Sequence, residues 1–129
     1  MLIVDSSVWI DLLRARETPE TATFERLAAI EEIGLGDLML YEVLQGVTPQ
    51  GESEAVRPKL LAFSVLTMGG RDIAIQAARH SQLLRTSGFQ VGTVDCLIAT
   101  FCIVSSLRLL TSDRHFQPFA DILGLSLAR

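Results

Sequence analysis

Residues 2–13 read LIVDSSVWIDLL, and the fold is decided there. Leu2-Ile3-Val4 is a short unbroken apolar run, the pattern of a strand buried on both faces in a parallel sheet. Asp5 ends the run. A helix is expected from about Ser7 to Arg14, with Ser6 or Ser7 capping it by accepting from a free backbone N–H. Strand, acid and helix thus follow one another within about a dozen residues.

Working outward, the same alternation continues. Pro19 and Glu20 open a second helix with an apolar stripe at Phe24, Leu27, Ala28 and Ile30 or Glu31, ending near Gly34. Residues 36–41 (GDLMLY) read as a second strand, followed by a short helix from Glu42 to Gly46. Thr48-Pro49-Gln50-Gly51 reads as a turn. A helix spans 52–62, bent or delayed by Pro58. Residues 64–68 (SVLTM) form a third strand closed by Gly69-Gly70. A long helix runs from about Asp72 to Ser87, with Gly88 where a left-handed C-terminal cap belongs. After FQVGTV, Asp95 opens an apolar helix through Ser105. Residues 108–111 (RLLT) are a fourth strand, and the tail DILGLSLAR supplies a short final one. Strands separated by helices imply parallel crossovers, hence an α/β protein, a three-layer α/β/α sandwich around a central parallel sheet.

Composition sets limits. The chain has 129 residues, enough for one domain with its own core. Aromatics are only 6%, which argues against a broad platform for stacking single-stranded bases. Net charge is −4, which argues against a basic face holding nucleic acid by counterion release. If four of the 15 acids belong to one metal site, the remaining acids balance the 11 basic residues. All the basic residues except Lys59 are Arg, the better partner for bidentate phosphate contacts. Cys96 and Cys102, six apart in one apolar helix, face different ways and read as buried free thiols of a reducing compartment. The N-terminus lacks a basic segment and carries Asp5 and Asp11 in its apolar stretch, so neither a signal peptide nor a membrane span is expected. The expected location is cytoplasmic.

Function enters through the acids. Asp5 follows the first strand, Glu42 the second, Asp113 the fourth by one residue, and Asp95 opens the helix feeding the fourth. In parallel sheets, ligands sit beyond the carboxyl ends of the strands at the switch point. Each acid has a plain structural reading: Asp5 and Asp95 as helix caps, Glu42 as a first-turn acid, Asp113 as a turn residue. Jointly those readings do not explain why all four occupy one edge. At about 4 Å, two carboxylates repel by about 4 kcal/mol at an effective dielectric near 20, so a cation is needed. Oxygen ligands without His or Cys select Mg²⁺ or Mn²⁺, ions that bind phosphate and activate water for phosphodiester hydrolysis.

LIVDSSVWIDLL, LYEVLQG, GTVDCLIAT and LLTSDRHF closely resemble the conserved segments of PIN domains, especially bacterial VapC-type toxins, over nearly the whole chain. The resemblance implies a single PIN domain over 1–129 that cuts structured RNA such as tRNA or rRNA. It also implies a homodimer, and an antitoxin partner encoded beside it in a VapBC toxin–antitoxin pair. Asp5, Glu42, Asp95 and Asp113 take the acidic catalytic positions, with Asp5, Asp95 and Asp113 as metal ligands. Ser7 and Thr111 match supporting hydroxyls near the first and last acids. Arg114 and His115 are candidates for phosphate contact, against a reading as solvated turn residues. Tyr41, Val43, Leu44 and the apolar part of 21–33 are expected in the core, or partly in a groove for an antitoxin helix.

Rival classes fit less well. A phosphoacceptor domain needs a Lys near a late strand end, and Lys59 lies mid-chain. A phosphatase with an Asp nucleophile wants a second Asp two residues on, where Ser7 stands. A DxSxS metal-binding domain fails at Trp9. A PIN-like module that binds RNA or protein without cleaving is the remaining alternative.

Overall fold

The computed structural model of the chain describes residues 1–47 and 52–129. Its elements are β1 (Leu2–Val4), α1 (Ser6–Leu13), α2 (Pro19–Ala28), β2 (Ile33–Gly36), α3 (Asp37–Gly46) and α4 (Glu52–Leu60). Then follow β3 (Ser64–Leu66), α5 (Arg71–Thr86), α6 (Thr93–Ser105), β4 (Arg108–Leu110), a 3-10 turn (Arg114–Phe116) and α7 (Gln117–Leu123). The four strands pair in parallel in the order β3-β2-β1-β4. Helices α1 to α4 pack among themselves, as do α5 to α7. Every residue of β1 is fully buried, so both faces of the sheet are covered. The architecture is the expected α/β sandwich.

The strand order places the switch point between β1 and β4. From β1 the chain steps to β2 and β3 on one side, then returns to lay β4 on the other. Leu2, Ile3 and Val4 pair with Arg108, Leu109 and Leu110. That register sets Asp5 beside Thr111 just past the carboxyl ends, and the Asp5 N–H donates to the Leu110 carbonyl at 2.9 Å. The core under this edge contains Ile3, Leu109, Ile98, Phe116 and Phe119, all with no exposed surface. Each such side chain contributes roughly 1.5–3 kcal/mol by leaving water.

The second strand differs from expectation. It is Ile33–Gly36, and residues 37–41 belong to α3. Met39 and Val43, four apart, give that helix its buried stripe. The strand hides in the sequence because IGLG is half glycine, a poor strand former. Here glycine is required by close approach: a Cβ on Gly36 would overlap the Met68 sulfur and lie 2.8 Å from Met39 Sδ. The second helix accordingly stops at Ala28, short of the Gly34 expected.

Other boundaries shift less. The cap of α1 is Asp5, not Ser6 or Ser7: its carboxylate accepts from the Ser7 N–H at 3.4 Å. α4 ends at Leu60 and contains Pro58, while the expected turn at 48–51 lies outside the described residues. The tail forms no strand: Asp121, Ile122 and Leu123 end α7, and Leu127 makes an isolated bridge to β4 at Leu109. Tyr41, expected in the core, is 69% exposed. Trp9 is core: its Nε1 donates to the Val4 carbonyl at 2.9 Å, and its ring meets Phe24 and Phe63 edge-on. Both cysteines are buried free thiols, and burial pushes the Cys102 thiol up to about 12.

Candidate active site

Asp5 is the centre of the carboxyl edge. It is 4% exposed, and three donors converge on its Oδ2: the Ser7 hydroxyl at 2.7 Å, the Thr111 hydroxyl at 2.9 Å and the Ser7 N–H. The two hydroxyls are themselves anchored. Ser7 Oγ accepts from the Ser112 N–H at 3.2 Å, and Thr111 Oγ1 accepts from the Asp113 N–H at 3.0 Å. Each hydroxyl thus ties the loop after β4 to the acid after β1. Thr111, expected to support Asp113, touches both acids.

Asp113 caps the 3-10 turn. Its Oδ1 accepts from the His115 N–H at 2.9 Å and lies 2.9 Å from His115 Nδ1. Asp95 is the third residue of α6, two positions inside the expected helix start, because Gly92 rather than Asp95 is the cap. At that position its carboxylate faces the helix N-terminus, where backbone N–H groups favour negative charge. Asp95, Asp113 and His115 each bring one ligand atom within 4.8 Å of the others.

Glu42 does not follow a strand. It sits mid-way along α3 and reaches the site from a neighbouring helix, where its Oε1 accepts from the Ser6 hydroxyl at 3.4 Å. The helical placement turns Glu42 toward α1, while Tyr41 beside it faces solvent.

The acids sense one another. Burial raises the Asp5 carboxyl above its ordinary range, opposed by its hydrogen bonds to Ser7 and Thr111. Burial also raises Asp95, and the negative charges of Asp113 and Asp5 push it further, while His115 opposes the rise. Glu42 is raised first by burial, then by Asp5 and Asp95, with Asp113 contributing less. The four expected acids therefore share one electrostatic neighbourhood, but among the described residues only Asp95 and Asp113, with His115, bring ligand atoms within 4.8 Å of one another.

Among the described residues, no basic group forms an ion pair with Asp5, Asp95 or Glu42. Half-buried carboxylates raised by neighbouring negative charge, as Glu42 and Asp95 are, match what a divalent cation needs. The donor set is carboxylate oxygens with one adjacent imidazole, groups that can hold a divalent cation. The sequence pattern missed His115 as a member of this set, because it is set in place by the turn that Asp113 caps.

Two clefts flank the acids. One, of about 420 Å³, is lined by Thr111, Ser112, Asp113, Arg114 and residues of α2 and the tail. The other, of about 470 Å³, is lined by Asp95, Arg114, His115, Pro118 and the loop 89–92. Arg114 is exposed, borders both, and forms no ion pair among the described residues.

The model of the PIN domain family matches residues 2–122. Ribonuclease VapC19 of Mycobacterium tuberculosis is 33% identical over 124 residues, covering 95% of this chain and 97% of the relative. Among solved structures, VapBC2 from Rickettsia felis, bound to a DNA fragment from its promoter, superposes with a TM-score of 0.77 at 19% identity. That match covers 98% of this chain and 96% of the other. FitAcB from Neisseria gonorrhoeae superposes with a TM-score of 0.76 at 20% identity, covering 100% and 97%.

Proposed function

From the premise that this chain belongs to the PIN-domain family, we propose that it is a Mg²⁺- or Mn²⁺-dependent endoribonuclease, the toxin of a type II toxin–antitoxin pair. The observation that carries the proposal is the convergence of Asp5, Glu42, Asp95 and Asp113 in one electrostatic field at the sheet's switch point. The name of the 33%-identical relative, a ribonuclease, supports the same reading. The 129 residues act as one PIN domain.

Asp5, Asp95 and Asp113 would hold the ion, with His115 beside them. The bound ion would supply Lewis-acid stabilisation of phosphate charge and a lowered pKa for an attacking water. Ser7 and Thr111 fix the orientation of the Asp5 carboxylate. Glu42, with its proton affinity raised, is suited to orient or deprotonate water at the edge of the site. Arg114 contacts phosphate from its place between the clefts.

The likeness in fold to a toxin–antitoxin complex from Klebsiella pneumoniae supports an antitoxin partner here. A groove of about 450 Å³ between α1, α3 and α4, lined by Ile10, Leu13, Val43, Val47 and Val56, suits the apolar face of a partner helix. Ile75 and Leu83, both on α5, are about half exposed, which supports self-association as a homodimer. No helix among the described residues is long and apolar enough to cross a membrane. Two unpaired thiols suit action in the cytoplasm.

The test is incubation of the purified protein with total RNA in Mg²⁺, in Mn²⁺ and in EDTA, beside Asp5→Asn. Cleavage that disappears with EDTA and with the variant supports the nuclease. RNA bound but left intact in both metals would replace it with the non-cleaving module.

A further inference from the structure

Resting on the nuclease reading, we propose that the cleft between the end of α5 and α7 is a nucleobase subsite. There Phe89 stacks on the base next to the scissile phosphate, and Gln90 reads that base's edge. Phe89 is 43% exposed and lines the same cleft as Asp95, His115 and Pro118. Of the six phenylalanines it is the only exposed one, and it stands on the wall of the cleft that holds Asp95.

The ring's attachment is fixed. α5 ends in a two-bond reversal: the Gly88 N–H donates to the Arg85 carbonyl at 3.0 Å, and the Phe89 N–H to the Leu84 carbonyl at 2.8 Å. Gly88 adopts a φ of +89°, which the reversal requires. Phe89 therefore starts from a pinned backbone and has only two side-chain torsions to order when a base arrives.

The chemistry of the lining matches a base. A nucleobase offers a π-face for an aromatic ring and polar edges for an amide. Gln90 carries two donors and an acceptor, and its amide has no partner among the described residues. The cleft volume of about 470 Å³ falls within the range of small-molecule sites. Arg114 borders this cleft and the one containing Thr111 and Asp113. A backbone crossing the acids over Arg114 would lay one flanking base against Phe89. The low aromatic content excludes a long stacking platform, but one fixed ring suffices for one base.

The experiment uses two readouts. In the first, wild type, Phe89→Ala and Phe89→Tyr cleave a random-sequence RNA pool, and the cut ends are sequenced. Phe89→Ala is expected to lose roughly 5- to 150-fold in kcat/KM, the equivalent of about 1–3 kcal/mol of stacking, mainly through KM. It should also flatten base preference at one position beside the cut, and Phe89→Tyr should restore both. In the second, Asp95→Asn and Asp95→Asn/Phe89→Ala bind short single-stranded RNAs carrying 2-aminopurine, whose emission stacking quenches. Quenching in the first protein that is lost in the second supports the subsite whether or not RNA is cut. Unchanged rate and preference in Phe89→Ala, or equal quenching in both proteins, would overturn the subsite and leave the nuclease standing. Absent cleavage with Phe89-dependent quenching would overturn the nuclease and leave the subsite standing.

Discussion

Two regions of the molecule bury a titratable group almost equally, and they handle it in opposite ways. Asp5 at the carboxyl edge is 4% exposed and His80 between α5 and α6 is 6% exposed. His80 lies 2.8 Å from the Thr100 hydroxyl through Nδ1 and 3.2 Å from the Gln76 amide through Nε2, both neutral partners. Beside it the Cys96 thiol donates to the Ala77 carbonyl. Burial lowers the His80 pKa, so its neutral form fits the site. Asp5 also has hydrogen bonds, but its charge bears on two neighbouring acids, helping to raise the Glu42 and Asp95 carboxyls. Burial of an ionisable group is therefore not the functional signature. Accumulated charge without an internal counter-charge is, because only an outside cation relieves it.

The contrast can be broken by substitution. Asp95→Asn, or EDTA treatment of the wild type, should lower RNA cleavage at least about 100-fold, read by gel or fluorescent substrate. A variant that still cuts at near wild-type rate would remove Asp95 from the site. Thr111→Val should cost about 10- to 100-fold in cleavage with the fold intact, because it releases both Asp5 and the loop before Asp113. Thr100→Val should do the reverse. It leaves His80 Nδ1 without its partner and costs about 1–3 kcal/mol of stability, while the cleavage rate stays unchanged. A thermal melt lowered by several degrees with equal activity is the expected pair of results.

Smaller effects sharpen the comparison. Without metal, Asp95→Asn should stabilise the protein by roughly 1 kcal/mol, since one repelling charge is gone. A lower melting temperature in EDTA would instead mark Asp95 as a needed helix-start acid. The pH slopes should have opposite signs. Asp5, Glu42 and Asp95 are raised above ordinary values of 3.8, 4.5 and 3.8, so the native state holds their protons longer. Their contribution to stability thus falls as pH rises from the ordinary carboxylate range through the raised values. His80 is lowered from 6.5, so its contribution is lost as pH drops below about 6.5. Melts in EDTA across this range should show a shallower first slope in Asp95→Asn and lose the second in His80→Gln. Slopes unchanged by these substitutions would assign the pH dependence to other groups.

Much of this was legible in the chain. LIVD announces a buried strand ending in an acid, and the order of apolar runs and helices gives the parallel sandwich. The second strand was not legible, because Gly34 and Gly36 answer to the side chains of Met1, Met39 and Met68 rather than to local propensity. That error misplaced Glu42 after a strand, when it reaches the site from the middle of α3. The cap of α1 was read both as Ser6 or Ser7 and as the plain structural role of Asp5, and the structure selects Asp5. Asp5 performs two tasks at once, capping α1 through the Ser7 N–H while Thr111 from the end of β4 donates to the same oxygen.

The sequence by itself determined the alternation of elements, the buried first strand and the four acids, since period and residue type act over a few neighbours. The tertiary structure decided that β4 lies against β1, which brings Thr111 and Asp113 to Asp5 across more than 100 positions. It also decided that His115 joins the acids and that Phe89 stands beside Asp95. These are meetings of distant segments, fixed by strand register and helix packing, and no local pattern encodes them.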